Sequence, residues 1–262
     1  MSLTLKLALS PLLVAQALRT RARVPRLPEA AGAREGVHGR GSARLRLLIA
    51  GDSSAAGVGV ATQGTALCGQ LLPLLAQGCG AQVHWTLCAR SGLTTAQTLD
   101  LLRHAALATI DLAVVVTGVN DVVDQVASSR AVRARDHIAN LLRNRTGAQH
   151  VVFCPLPPIH RFPALPQPLR WMAGADARRH NRALRAWATE RGAHSGDVST
   201  PRLDAVQLDR DTMASDGFHP GAPVYRAVAE ALADHITHSV RPHLQLEPAR
   251  ASQATLRARR SS

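Results

Sequence analysis

"GDSSAAG", residues 51–57, ends the apolar run Leu45-Arg46-Leu47-Leu48-Ile49-Ala50. Such a run, stopping at Gly-Asp-Ser and breaking into small residues, reads as a strand buried on both faces that turns at its carboxyl end. The turn carries a hydroxyl, and the residues beside it are too small to cover it. Three uses compete for Ser53: turning the chain, holding a phosphate, or attacking a substrate. A phosphate loop needs Gly-x-x-x-x-Gly-Lys-[Ser/Thr], and a dinucleotide turn needs Gly-x-Gly-x-x-Gly. The stretch "GDSSAAGVGVATQG", residues 51–64, has no lysine, and no Gly-x-Gly opens the turn. Nucleotide binding is the weakest of the three.

Outward from this turn, short apolar runs alternate with helical stretches. Strands are expected over residues 45–50, 82–88, 112–117 and 151–154, and helices over 65–76 (with Pro73 as a kink or stop), 94–108, 130–143 and 170–191. A last helix is marked by Val224, Val228, Leu232 and Ile236, four residues apart on one face. This alternation implies right-handed crossovers and a parallel sheet covered on both sides. Two stretches break the rhythm. Residues 24–43, rich in Pro, Gly and charge, read as a linker or irregular arm. Residues 155–168, "PLPPIHRFPALPQP", carry six prolines straight after the fourth strand. They form neither a regular helix nor a central strand. Loops at that edge of an open α/β sheet bind ligands, so this one is expected to wall the site or to cover it rigidly.

Length and composition bound the rest. The 262 residues, 46% of them hydrophobic, suffice for one sizeable α/β domain, expected over residues 44–240. An N-terminal segment and arm (1–43) would precede it and a basic, disordered tail (241–262) would follow. The net charge of +13 raises anionic partners. Much of it, however, is arginine at the two ends, at Arg19, Arg21, Arg23 and Arg26 and at Arg250, Arg257, Arg259 and Arg260. Aromatics at 3% leave little for stacking on bases, so no nucleic-acid partner is expected. Residues 3–18 are apolar but interrupted by Lys6, Ser10 and Gln16. They read as an amphipathic helix that packs on the domain or rests peripherally on an anionic membrane, ahead of a signal or anchor segment. Location leans to the cytoplasm. Cys68, Cys79, Cys88 and Cys154 form no zinc-like array and read as buried small hydrophobes, with a Cys79–Cys88 disulfide left open.

Two further stretches carry chemical groups. "GVND", residues 118–121, follows the third strand and places the Asn120 amide at the same sheet edge as Ser53. "SDGFHPG", residues 215–221, sets Asp216 three residues before His219 at the start of the last helix. There an acid can hold one ring nitrogen and leave the other free as a base. Each stretch alone also reads as ordinary turn or helix-start punctuation.

Taken in order, Gly-Asp-Ser after the first strand, Gly92 in "RSGLTT" after the second, Gly-x-Asn-Asp after the third and Asp-x-x-His before the last helix make the chain resemble the SGNH hydrolases, the GDSL-type esterases and lipases, over residues 44–239. The resemblance implies a three-layer α/β/α sandwich with a flavodoxin-like parallel sheet of about five strands. It implies Ser53 as nucleophile, His219 as general base and Asp216 orienting it. The Ser53 and Gly92 N–H groups and the Asn120 amide would form the oxyanion hole. No metal or organic cofactor is implied. One departure is Ser54, where the family motif reads Leu. The expected reaction is hydrolysis of a small-molecule carboxylic ester of short to medium acyl chain, with Ile159, Phe162 and Leu165 lining the acyl site. Deacetylase, thioesterase or a non-catalytic acyl- or anion-binding module are the alternatives.

Overall fold

The computed structural model describes residues 3–203 and 208–249, with side chains from residue 9 onward. The basic tail from residue 250, with Arg250, Arg257, Arg259 and Arg260, lies outside the described residues, as does the side chain of Lys6. In chain order the elements are α1 (Leu3–Arg23), β1 (Glu35–His38), β2 (Ala43–Gly51), α2 (Ser53–Ala56), α3 (Leu67–Gly78), β3 (Ala81–Ala89), α4 (Thr95–His104), β4 (Leu112–Val116), α5 (Val119–Val123), α6 (Ser128–Thr146), β5 (His150–Phe153), α7 (Leu169–Ser195), β6 (Val198–Ser199), α8 (Ala222–His235) and β7 (Glu247–Pro248).

The five parallel strands lie in the order β3-β2-β4-β5-β6, the doubly wound order in which the chain reverses direction beside its first parallel strand. Along β2 the side chains alternate between the two faces. Leu45, Leu47 and Ile49 join Leu67, Leu71 and Leu75 of α3 and Leu232 of α8, whereas Leu48 and Ala50 join Leu99, Leu102, Ile138 and Leu184 of α4, α6 and α7. Both faces are thus covered, which is why the strands read as unbroken apolar runs. Helix α3 runs through Pro73 instead of stopping there.

The two ends depart from expectation. Residues 24–43 are no free linker, because β1 adds antiparallel to the outer edge of β3. The Ala31 amide donates to Ala61 O at 2.9 Å and the Gln63 amide to Ala31 O at 2.8 Å. The buried Gln63 side chain donates to Ala30 O and Ala56 O. Residues 241–249 are no free tail either, since Leu244 is buried and β7 pairs with the start of β2, which β4 leaves uncovered. Backbone pairing and single polar ties hold both segments, and neither leaves an apolar period in the sequence. All four cysteines are free thiols.

These attachments separate what is dispensable at the N-terminus from what is not. A chain starting at Pro25 should melt within about 2 °C of the full chain. One starting at Arg40 loses the buried Ala30 and the β1 pairing, and should melt roughly 10 °C lower by calorimetry, at about 2–4 °C per kcal/mol for a domain of this size.

Candidate active site

Ser53 opens the single turn of α2, and Asp52 immediately before it caps that turn by accepting the Ser54 amide at 3.0 Å. Gly51 at φ +152° runs so close to β4 that a Cβ there would sit 1.9 Å from Val116 O. Only glycine allows this approach, and the Asp52 amide then donates to the same carbonyl at 3.1 Å. At the start of a helix the first amides have no intrahelical acceptor. With the Ser54 amide taken by Asp52, the Ser53 N–H stays available beside its own hydroxyl.

On the far side of the site, Asp216 shapes its own turn. One oxygen accepts the Phe218 and His219 amides at 2.9 Å each, and the other meets His219 Nδ1 at 2.5 Å. Gly217 at φ +62° lets the chain double back between them. Burial pushes the Asp216 carboxyl up, but the His219 ring and amide and the Phe218 amide outweigh it, and the group stays below the usual carboxylate range. With Nδ1–H donated to Asp216, His219 Nε2 is left as acceptor, 3.1 Å from Ser53 Oγ. The structure therefore joins Asp216, His219 and Ser53 in one hydrogen-bonded line across 166 residues of sequence between Ser53 and His219.

The two loops between these ends are tied to each other. Asn120 Nδ2 donates to Leu93 O at 3.0 Å. An amide nitrogen carries two hydrogens, so this bond fixes the side chain and leaves one N–H for a ligand. Asp121, buried, accepts the Thr95 amide at 3.0 Å and the Thr95 hydroxyl at 2.5 Å. Gly92 is exposed at φ +82°. Before it, Ser91 gives its amide and hydroxyl to Glu29 Oε1 at 2.7 and 2.9 Å. Burial of the Glu29 carboxyl is outweighed by these bonds and by Arg34, which hold it below its ordinary value. The arm before β2 thus supports the Gly92 loop.

Beneath the Gly118–Asp121 turn lies Arg135, fully buried. Its Nη2 donates to Thr117 O at 3.2 Å and stands 3.9 Å from Asp121 Oδ2. A Cβ on Gly118, at φ +129°, would come within 2.7 Å of that nitrogen. Glu29 and Arg135 both escaped the sequence reading. Arg135 was legible in principle, since it shares the inward helical phase of Ala131, Ile138 and Leu142.

Ile159, Phe162 and Leu165 do not line an open acyl site. All three are buried, packed with Leu156, Met213 and Val224 under the proline-rich loop. The loop turns its apolar side chains inward onto Val122 of α5, Ala177 of α7 and Val224 of α8. Phe162 reaches the site only through Phe218, whose ring packs edge-on against both Phe162 and His219 at 5.3 and 5.2 Å. Among the described residues, no group of three or more His, Cys, Asp or Glu is placed to hold a metal ion.

The family model for GDSL-like lipases and acylhydrolases matches residues 49–227. The chain belongs to that family. A GDSL-like esterase of Mycobacterium tuberculosis, Rv1075c, is 28% identical over 266 residues, covering 94% of this chain and 83% of the relative. The Clostridium thermocellum family 3 carbohydrate esterase aligns over 76% of this chain and 98% of its own, at TM-score 0.59 and 17% identity. The lipase Lip_vut3 from a goat rumen metagenome aligns over 72% and 96%, at TM-score 0.57 and 18% identity. At such identities the two structures share the fold. This GDSL-like acylhydrolase is an ester-hydrolysing enzyme, with the α/β sandwich of its neighbours.

Two buried acids set its response to pH and mutation. Burial pushes the Asp52 carboxyl up to about 7, helped by Asp121 and opposed by the Ser54 amide and by His219. The folded state therefore keeps a proton on Asp52 between about pH 4 and 7 that the unfolded chain has released, and stability contributed by this group falls as pH rises through that window. Asp52→Asn keeps the cap and should flatten the slope. Urea melts at pH 5 and 7 should differ less for the variant than for wild type, by on the order of a few kcal/mol. Arg135→Met leaves Asp121 buried without a countercharge and should cost about 3–5 kcal/mol in the same melts. Arg135→Met with Asp121→Asn should recover part of that loss.

Proposed function

We propose that the chain hydrolyses small carboxylic esters through an acyl-enzyme on Ser53. The observation that carries this reading is the unbroken line Asp216–His219–Ser53, with the hydroxyl already 3.1 Å from the free ring nitrogen. Serine is a weak nucleophile at neutral pH and needs a base to take its proton as it attacks. His219 Nε2 accepts that proton and hands it to the leaving alcohol. Asp216 stabilises the imidazolium and holds the ring without taking the proton itself. Water then attacks the acyl carbonyl, His219 again removing a proton, and the acid is released with Ser53 restored.

As the carbonyl carbon becomes tetrahedral, charge gathers on its oxygen. The Ser53 and Gly92 N–H groups and the remaining Asn120 N–H serve as donors to it. They are held before substrate arrives, so they need no reorganisation at the moment of reaction. A non-catalytic binding module would have no use for a base aligned on the hydroxyl.

A short to medium acyl chain suits the surroundings. The partly buried Phe218 ring, edge-on to His219, is the apolar surface beside the base. Cavities of about 320 and 270 Å³ lie elsewhere, between α3 and α8 and between α5 and α7. The relative Rv1075c is named a GDSL-like esterase, which agrees with ester hydrolysis.

Hydrolysis of p-nitrophenyl esters from acetate to palmitate tests the reading. Wild type should peak at short to medium chains, and Ser53→Ala should lower kcat on the order of 10⁴-fold or more. Asn120→Ala should lower it on the order of 10²–10³-fold. Equal activity in wild type and Ser53→Ala would overturn the mechanism, and a maximum at palmitate would overturn the chain length.

A further inference from the structure

We propose that the outward face of α1, together with Trp171, docks the enzyme on an anionic lipid bilayer. Helix α1 touches the domain along one narrow stripe. Leu9, Leu13, Gln16 and Thr20 are partly covered, while the residues between them are exposed. At 100° per residue these four fall within one sector of the helix. Gln16 is the fastening, donating to Gln167 O at 2.8 Å and accepting the Leu169 amide at 3.1 Å.

The face opposite that stripe, with Pro11, Val14, Ala15, Leu18 and Ala22 exposed, is apolar where a solvent-facing helix is normally charged. Leu12, Val14 and Leu18 are 47, 57 and 64% exposed. Trp171 is 43% exposed two residues after Leu169, whose amide holds Gln16. Among the described residues six large hydrophobic side chains are this exposed, and these are four of them. Val14 and Leu18 lie at the middle of the outward face, with Arg21 on one flank and Arg19 on the other. Such a helix sinks its apolar ridge into the acyl boundary while the flanking cations reach the headgroups.

Charge selects the partner. Residues 1–28 carry Lys6, Arg19, Arg21, Arg23 and Arg26 and no Asp or Glu. Copies of this helix would repel one another, whereas an anionic leaflet attracts basic segments within a Debye length. Trp171 supplies the amphipathic ring favoured at headgroup depth. The covered stripe of the helix is tied, through Gln16, to a loop that reaches the site. Gln167 ends the segment in which the Ala164 amide donates to Gly217 O at 3.1 Å, two residues from His219.

Flotation of the full chain with vesicles of phosphatidylcholine alone, and with an equal part of phosphatidylglycerol, tests this. Wild type should float with the mixed vesicles at low salt and much less with the neutral ones, and high salt should release it. The triple variant Leu12→Ser, Val14→Ser, Leu18→Ser should lose binding on the order of tenfold or more. Arg19→Gln, Arg21→Gln, Arg23→Gln should abolish the preference for anionic vesicles. Both should keep wild-type turnover on p-nitrophenyl butyrate, which shows the catalytic domain intact whatever the vesicles do. Absent flotation, equal binding to both vesicle types, or undiminished binding of the serine variant would overturn the proposal. So would a wild-type dimer in sedimentation that the serine variant dissolves, because a second copy would then cover the face.

Discussion

Asp121 accepts two hydrogen bonds from Thr95, one from its amide and one from its hydroxyl, with both residues buried. The loop after β3 and the turn after β4 are therefore one unit. Sliding one past the other would strand a buried carboxylate and two donors, each costing on the order of 1–3 kcal/mol or more. Arg135 closes the arrangement from below, facing Asp121 and holding Thr117 O. Gly92 and Asn120 inherit their spacing from this clasp, and the Asn120–Leu93 bond fixes the amide within it. Ser53 is referenced to the same turn through Gly51 and Asp52 against Val116 O. Ser53, Gly92 and Asn120, on three loops, thus share a frame held mostly by side-chain bonds, with the Asp52–Val116 backbone bond tying in the nucleophile turn.

That frame explains which residues were legible. Ser53, Gly92 and Asn120 follow three parallel strands directly, and the apolar runs of buried strands are plain in sequence. Their place at one sheet edge follows from topology alone. Asp216 and His219 sit on one short turn before a strongly periodic helix, so their meeting was readable too. The strand order is the one the family resemblance implied, and nothing in the apolar runs themselves specifies it.

What stayed hidden has physical reasons. Ile159, Phe162 and Leu165 lie in a loop without period, and nothing in a proline-rich stretch says which way its side chains turn. Glu29 and β1 act through one carboxylate and a backbone ladder, which any composition can supply. Arg135 stands among Arg130, Arg133 and Arg143, where an arginine looks like part of a solvated surface. Only its phase with the small residue Ala131 and with Ile138 marks it as the inward member. A buried guanidinium is uncommon, so charge points outward where phase points inward.

The arm that completes the sheet also ends it. β1 covers the outer side of β3 with four residues led by Glu35, and at the opposite edge β6 is only two residues long. An exposed strand is a template on which other chains can pair and aggregate, and nature blunts such edges with short strands and charges. Among the described residues neither border offers a run on which an amyloid-like ladder could start. The hazard returns once the arm is released, because β3 then stands bare along its length.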